Sequence, residues 1–242
     1  MSCFSTEDTF EEPPQGMLRT PRLIATVKMT PGRPVFAAAA ALAAQMAGCD
    51  LVIARPNGHL TDPARSVREL LDAAQVSLAA DVGCAGPQSA LELVRAGAER
   101  IVISTEAILH PRMVPEVIDV VGEGACLFLV DCQASGPGQV EVIDPSGRSM
   151  NVDCNSWLDQ LHELGAEQVI LRPRRTMPSE LLLPLIDNCD LTVHIERPGW
   201  SFALVDALGA QGLVTAGALG CREQLEWREQ EVAMRQLAGR RS

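Results

Sequence analysis

The chain has 242 residues, 47% hydrophobic and 21% charged, with 31 acidic against 20 basic side chains and a formal net charge of −11. That apolar content suffices for one large globular domain, and the acidic surplus argues against a protein that neutralises a nucleic-acid backbone. Aromatic residues make up 3% and tyrosine is absent, which leaves few stacking platforms for single strands. No apolar run reaches the roughly 18 residues of a membrane helix; the longest, over 35–44, is alanine-rich and stops at Gln45. No membrane partner is expected. The opening stretch STEDTFEEPPQG is acidic and proline-bearing, the opposite of a secretory signal. All basic residues but one are arginine, and the single lysine is Lys28.

The eight cysteines, Cys3, Cys49, Cys84, Cys126, Cys132, Cys154, Cys189 and Cys221, form no CxxC pair and no Cys/His cluster at zinc spacing. Most lie in apolar segments, where a free thiol behaves as a small core hydrophobe. Reduced thiols, a cytoplasmic location and no bound metal or cofactor are therefore expected.

Residues 1–21 lack periodicity and carry charge and proline, so they are expected to form a disordered acidic lead-in. A regular alternation begins after it. Strand-like LIATVKM (23–29) precedes an alanine-rich helix over 35–47; DLVIA (50–54) precedes a helix over 63–74. VSLAADV (76–82), a helix over 87–96, RIVIS (100–104) and a helix near 112–121 follow. Then come ACLFLVD (125–131), a hairpin-like excursion to about 152, a helix over 156–165 and QVILR (168–172). A helix near 178–187, LTVHIE (191–196), a helix over 200–208, GLVTAG (212–217) and a last helix over 222–238 close the series. Continuous apolar strands linked by helices imply a parallel sheet covered on its outer side. Eight such units predict a single (β/α)8 TIM barrel over 22–242. The absence of GxGxxG after the first strand argues against a dinucleotide-binding sheet.

An internal repeat supports closure. AGCDLVIARP (47–56) recurs as LGAEQVILRP (164–173), and LVRAGAERIVIST (93–105) resembles LVDALGAQGLVTAG (204–217). The second strand thus pairs with the sixth and the fourth with the eighth, as in a barrel of two half-barrels.

These segments resemble the HisA/HisF family of half-barrel-repeat TIM barrels, the histidine-biosynthesis isomerase and cyclase. The strongest likeness runs over 34–109, through the helix ending in AGCD, the strand LVIA, the Asn57-Gly58 turn and LELVRAGAERIVISTEAILHP; CLFLVDCQASG and ALGAQGLVTAGAL continue it. The resemblance implies an acid at the end of strands one and five, working as acid and base on a phosphoribosyl substrate. Here the first position holds Lys28 and the second keeps Asp131. The family's acid after strand two corresponds to Arg55, and its small polar residue at strand six to Arg172. The phosphate turns implied after strands three, four and eight become Asp81-Val82-Gly83, Ser104-Thr105 and Ala216-Gly217-Ala218. The turn after strand seven falls at His194-Ile195 or at Glu196–Gly199. Asp81 in place of a glycine repels phosphate, because such turns work by bringing backbone N–H groups to the anion.

Chemistry in this fold belongs at the C-terminal ends of strands. The expected catalytic pair is Lys28 and Asp131. A lysine at a barrel mouth can become a nucleophile or base when burial lowers its pKa, which arginine cannot. The expected substrate contacts are Arg55, Asp81, Ser104, Thr105, Arg172, His194 and Gly217. The two arginines occupy repeat-equivalent Arg-Pro positions and can clamp anionic groups bidentately, with Asp81 and Glu196 offsetting their charge. A structural ring of ion pairs accounts for the same charge mix. His59, His110 and His162 read as surface residues. The expected function is a divergent, isomerase- or lyase-type enzyme acting on a small anionic or phosphorylated metabolite. A catalytically silent barrel serving in binding or assembly is the alternative, and a genuine histidine-pathway isomerase is a third.

Overall fold

In the computed structural model, which describes residues 22–81 and 86–217 together with Cys221, Arg222, Gln224 and Glu226, the alternation read from the sequence closes on itself. The acidic lead-in over 1–21 lies outside the described residues, as do Val82, Gly83, Ala218 and most of the last helix over 222–238. The strands are β1 (Arg22–Met29), β2 (Leu51–Pro56), β3 (Leu78–Ala80), β4 (Arg100–Ile103), β5 (Cys126–Gly136), β6 (Gln139–Ile143), β7 (Ser149–Asp153), β8 (Gln168–Pro173), β9 (Thr192–Glu196) and β10 (Gly212–Ala216). The helices are α1 (Pro34–Met46), α2 (Pro63–Ala73), α3 (Pro87–Arg95), α4 (Met113–Val121), α5 (Cys154–Glu163), α6 (Leu183–Asp187) and α7 (Phe202–Ala207). The sheet runs β4-β3-β2-β1-β10-β9-β8-β5, and β4 pairs with β5 to close it. These strands are mutually parallel and form a (β/α)8 barrel. β6 and β7 are the expected hairpin, continuing antiparallel from the C-terminal end of β5.

Local sequence accounts for the helix ends. Proline stands in the first turn of α1, α2 and α3, where the missing N–H has no partner to lose. Asp62 caps α2 by accepting from the Arg65 N–H at 2.9 Å, and Asp153 caps α5 through the Ser156 N–H at 2.9 Å. After α3, Gly97 adopts φ +108°, and a Cβ there would come within 2.9 Å of Leu71 Cδ1. Two elements are shorter than their patterns suggest. The third strand keeps only Leu78–Ala80 of the apolar run 76–82. The helix expected over 178–187 is divided into a short 3-10 turn and α6, with Pro184 in the first turn of α6.

The half-barrel repeat is present in the hydrogen-bond register itself. Lys28 pairs with Arg55 across β1 and β2, and Asp131 pairs with Arg172 across β5 and β8. Val52 pairs with Leu78 in one half, and the equivalent Val169 with Val193 in the other. Following the ladder from Lys28, Arg55 and Asp81 leads to Val102, which lies level with Leu127, four residues before Asp131. The other half repeats this step: Val214 lies level with Ile24, four residues before Lys28. Two steps of four give the shear of about eight that an eight-stranded barrel requires.

Side chains of alternate residues divide into two cores. Ile24, Ile53, Val102, Leu129, Ile170 and Val214 pack inside the barrel, apart from the larger cluster between strands and helices. The same parity, carried upward, turns Lys28, Arg55, Asp81, Asp131, Arg172 and Glu196 toward the interior at the mouth. On the outside, α1 exposes Val35, Phe36, Leu42 and Met46, an apolar face on solvent.

Ile53 and Ile170 hold equivalent places in the two halves, both fully buried. Replacing either with alanine is expected to cost about 2–5 kcal/mol, and urea denaturation of the two variants should give similar losses.

Candidate functional site

Arg55 stands at the centre of the mouth. Its two terminal nitrogens donate to both carboxylate oxygens of Glu196, one at 2.7 Å, while Nε donates to Asp81 Oδ2 at 2.5 Å. One guanidinium therefore bridges β2 to the loop after β3 and to the end of β9. Arg172 does the same work on the other half. Its Nε and Nη2 donate to the two oxygens of Asp131 at 2.6 and 2.8 Å, a bidentate pair. Asp131 is held from a second side. Its backbone N–H donates to the Thr105 hydroxyl at 2.9 Å, and that hydroxyl lies 2.9 Å from the Leu129 carbonyl and 3.2 Å from Asp131 Oδ2.

These groups are mostly covered, and their protonation reflects it. Burial lowers the pKa of Arg55, but the Glu196 and Asp81 carboxylates more than offset that and hold the guanidinium charged. The same balance, with Asp131 as the main partner, raises Arg172. Burial raises the Asp81 carboxyl above its ordinary value, with Arg55 and Arg172 pulling it down and Glu196 adding to the rise. Lys28 completes the layer. Its side chain is exposed, and it makes no ion pair with another described residue. Three cations and three carboxylates thus share one mouth.

Beside Arg172 a cavity of about 270 Å³ opens under the turn between β6 and β7, lined by Asp131, Asp144, Ser146, Arg172, Arg174 and Arg175 among others. Asp144 shapes that turn: it accepts from the Ser146 hydroxyl, the Arg148 N–H and the Arg148 guanidinium. The Ser146 bond, then the Arg148 N–H, hold its carboxyl well below the usual range. Gly147, at φ +90°, leaves room for the Arg174 guanidinium, which a Cβ would strike.

A protein-family profile described as "Histidine biosynthesis protein" matches residues 50–173. The chain belongs to this family. Among curated relatives, the imidazole glycerol phosphate synthase subunit HisF of Symbiobacterium thermophilum is 29% identical over 152 residues, covering 58% of this chain and 52% of that protein. The subunit of the same description from Streptomyces avermitilis is 28% identical over 106 residues, 43% of this chain and 42% of its own. That of Pyrococcus furiosus is 31% identical over 85 residues, 35% and 34% respectively. The matched stretches span between a third and about half of these relatives.

In this HisA/HisF-family barrel, Lys28, Arg55, Asp81, Asp131 and Arg172 come together at the mouth, with Glu196 among them. Asp131 meets Arg172 rather than Lys28, because the register sets that pair side by side. Ser104 precedes the 3-10 turn Thr105–Leu109 and offers its carbonyl to the Ala107 N–H at 3.0 Å. Thr105 follows it. It is 1% exposed and its hydroxyl is bonded to β5, where it holds Asp131. His194 is a correction to the sequence reading. It lies level with Gly212 and Arg22 at the N-terminal end of the barrel, opposite the mouth. Two-residue periodicity gives a side chain's face but not its height, and His194 stands one inward step below Glu196. Gly217 follows β10 at φ +62° with open space where a Cβ would point. Arg174, Arg175, Asp144 and Ser146 were not singled out from sequence; the RPRR run at 172–175 was the available signal.

Among the described residues Cys49, Cys126, Cys132, Cys154, Cys189 and Cys221 are free thiols; Cys3 and Cys84 lie outside them. No cluster of three or more His, Cys, Asp or Glu side chains among the described residues is placed to hold a metal, and no helix among them is long and apolar enough to cross a membrane.

Two measurements follow from the charges. Arg55→Leu leaves Asp81 and Glu196 without their cation and is expected to lower unfolding free energy by about 3 kcal/mol; adding Glu196→Leu should restore part of it. At His194, burial and then the charges of Arg22 and Arg100 lower the pKa from 6.5 to about 4. The unfolded chain takes up this proton before the folded one does. Stability present above the unfolded pKa is therefore lost as pH falls toward 4, by about 3 kcal/mol in all. Denaturation curves across that window should show the loss in the wild type and a flatter dependence in His194→Phe.

Proposed function

We propose that this barrel binds a small anionic or phosphorylated metabolite at its C-terminal mouth and transforms it by acid/base chemistry, with Lys28 and Asp131 as the reacting pair. The observation that carries this reading is the register equivalence of Lys28 and Asp131 in the two half-barrels. It gives the mouth one cation and one carboxylate at the places where the family resemblance implies two acids. Arg172 supplies the recognition. It is 30% exposed in its side chain, lines the cavity under the hairpin turn and has Arg174 and Arg175 beside it. A phosphate or carboxylate entering there competes with Asp131 for the same guanidinium. As Arg172 turns to the ligand, Asp131 keeps its Thr105 contact and is left to accept a proton, while the Lys28 ammonium can donate one. With lysine at the first position, the two-acid chemistry implied for the histidine pathway does not run unchanged, so complementation of a histidine auxotroph is expected to fail.

A second reading, an assembly or binding subunit without turnover, is favoured by two observations. Arg55, Asp81, Glu196, Asp131 and Arg172 satisfy one another, and α1 carries Phe36 and Met46 at 70% and 81% exposure. The matched relatives are themselves described as subunits.

A thermal-shift screen of phosphosugars, pterins and small dicarboxylates separates the two. The enzyme reading expects a ligand whose stabilisation is lost in Arg172→Leu, and turnover of it abolished in Lys28→Ala with the fold retained. Unchanged turnover in Lys28→Ala overturns it. The assembly reading expects no ligand, an oligomer by light scattering, and dissociation when Phe36 and Met46 are replaced by aspartate.

A further inference from the structure

The N-terminal end of the barrel holds a polar space that the mouth chemistry does not use. The His194 imidazole there is 1% exposed, yet neither Nδ1 nor Nε2 has a hydrogen-bond partner among the described residues. Space for the ring is made by its neighbour: a Cβ on Gly212 would lie 2.3 Å from Nδ1. A cavity of about 60 Å³ adjoins the ring, lined by Arg22, Asp50, Ser77, Glu99, Arg100 and His194 along with Ile24 and Leu51. That is several times the roughly 10–15 Å³ that one water needs.

Each acid on this wall has one oxygen engaged elsewhere. Asp50 Oδ2 accepts from the Leu23 N–H at 2.7 Å, and Glu99 accepts from the Ser77 hydroxyl at 2.5 Å. Arg100 spends one nitrogen on Gln168 Oε1 at 2.6 Å. Its remaining N–H groups, those of Arg22 and the imidazole keep donor capacity toward the cavity, while the second oxygens of Asp50 and Glu99 keep acceptor capacity. Their charges are also at odds. Burial, and then the Arg22 charge, lowers the pKa of Arg100 against the opposing pull of Glu99 and Glu167, and both arginines act on His194 in the same sense. A buried imidazole without partners is costly, and so are like charges converging on one enclosed space. Water relieves the first cost and leaves the second. A negative ion relieves both.

We propose that this cavity is a binding site for a small anion, an inorganic ion or a carboxylate of a few heavy atoms, held by His194 together with Arg22 and Arg100. The neutral imidazole gives one N–H and the two guanidiniums give the rest. Bound there, the anion ties the starts of β1 and β4 to the middle of β9 and stabilises the fold. The site lies at the opposite end of the barrel from Lys28 and Asp131 and stands whether or not the mouth is catalytic.

Bromide and nitrate are suitable probes for the full chain. Crystals soaked in bromide and measured at the bromine edge should show an anomalous peak inside the cavity, in contact with His194 and a guanidinium. In solution, nitrate added at constant ionic strength should raise the melting temperature saturably. His194→Phe keeps a planar ring over Gly212, and Arg100→Gln keeps a hydrogen-bonding side chain on β4. Each should raise the half-saturating nitrate concentration about tenfold, the loss expected for one charge-assisted hydrogen bond; if one variant fails to fold, the other still reads the effect. Water alone in the cavity of bromide-soaked crystals overturns the proposal. So does a nitrate response that is the same in the wild type and the variants.

Discussion

The Arg55 guanidinium, shared between Asp81 and Glu196, is the interaction on which the mouth depends. It joins β2 to the end of the neighbouring β3, where the ladder sets Arg55 level with Asp81, and reaches across the mouth to β9, three strands away round the barrel. The same register sets Arg172 beside Asp131. Neither pairing results from a flexible side chain searching for a partner. The Arg55–Asp81 and Arg172–Asp131 contacts follow from hydrogen bonds in the backbone below them, which step by four residues in each half.

This arrangement trades solvation for geometry. Its paired groups lose water, which by itself would lower Arg55 and Arg172 and raise Asp81. The bidentate contacts offset that cost because both oxygens of Glu196 and both of Asp131 have a donor facing them. Lys28 is the exception, exposed at the end of β1 where its neighbour Arg55 is already committed. The mouth therefore has a fixed core of ion pairs and a rim where Lys28, Arg172 and the arginines under the hairpin face outward. The two readings of function differ in which of these parts matters. Turnover needs the rim to draw Arg172 away from Asp131, whereas an assembly role needs only the core and the apolar face of α1.

The opposite end of the barrel has the reverse character. Around His194 each acid has one oxygen engaged by a backbone amide or a serine, and two guanidiniums and an unpartnered ring border one small volume. One barrel thus presents a nearly neutral, self-paired mouth and an unsatisfied N-terminal pole. The repeat does not extend to this pole, because the sequence puts Arg22 and Arg100 at the strand starts of the first half, whereas Gln168 and Gly212 stand at strand starts of the second.

Much of the fold was legible in the sequence. The alternation of apolar runs with capped helices specifies eight units, and the Arg-Pro repeat at 55–56 and 172–173 marks the two halves before any coordinates are known. Lys28, Arg55, Asp81, Asp131, Arg172 and Glu196 could be named as strand-end residues because two-residue periodicity assigns a face. Height and partnership could not be read this way. Whether Asp131 meets Lys28 or Arg172 depends on the shear of the closed sheet, and that Thr105 turns inward depends on a 3-10 turn after β4. That His194 falls at the far end depends on how β9 aligns with β10. Sequence by itself determined the architecture and the list of charged strand ends, since both follow from local patterning. Tertiary structure alone decided which of those charges are paired and which are free, since hydrogen-bond register between distant strands sets that.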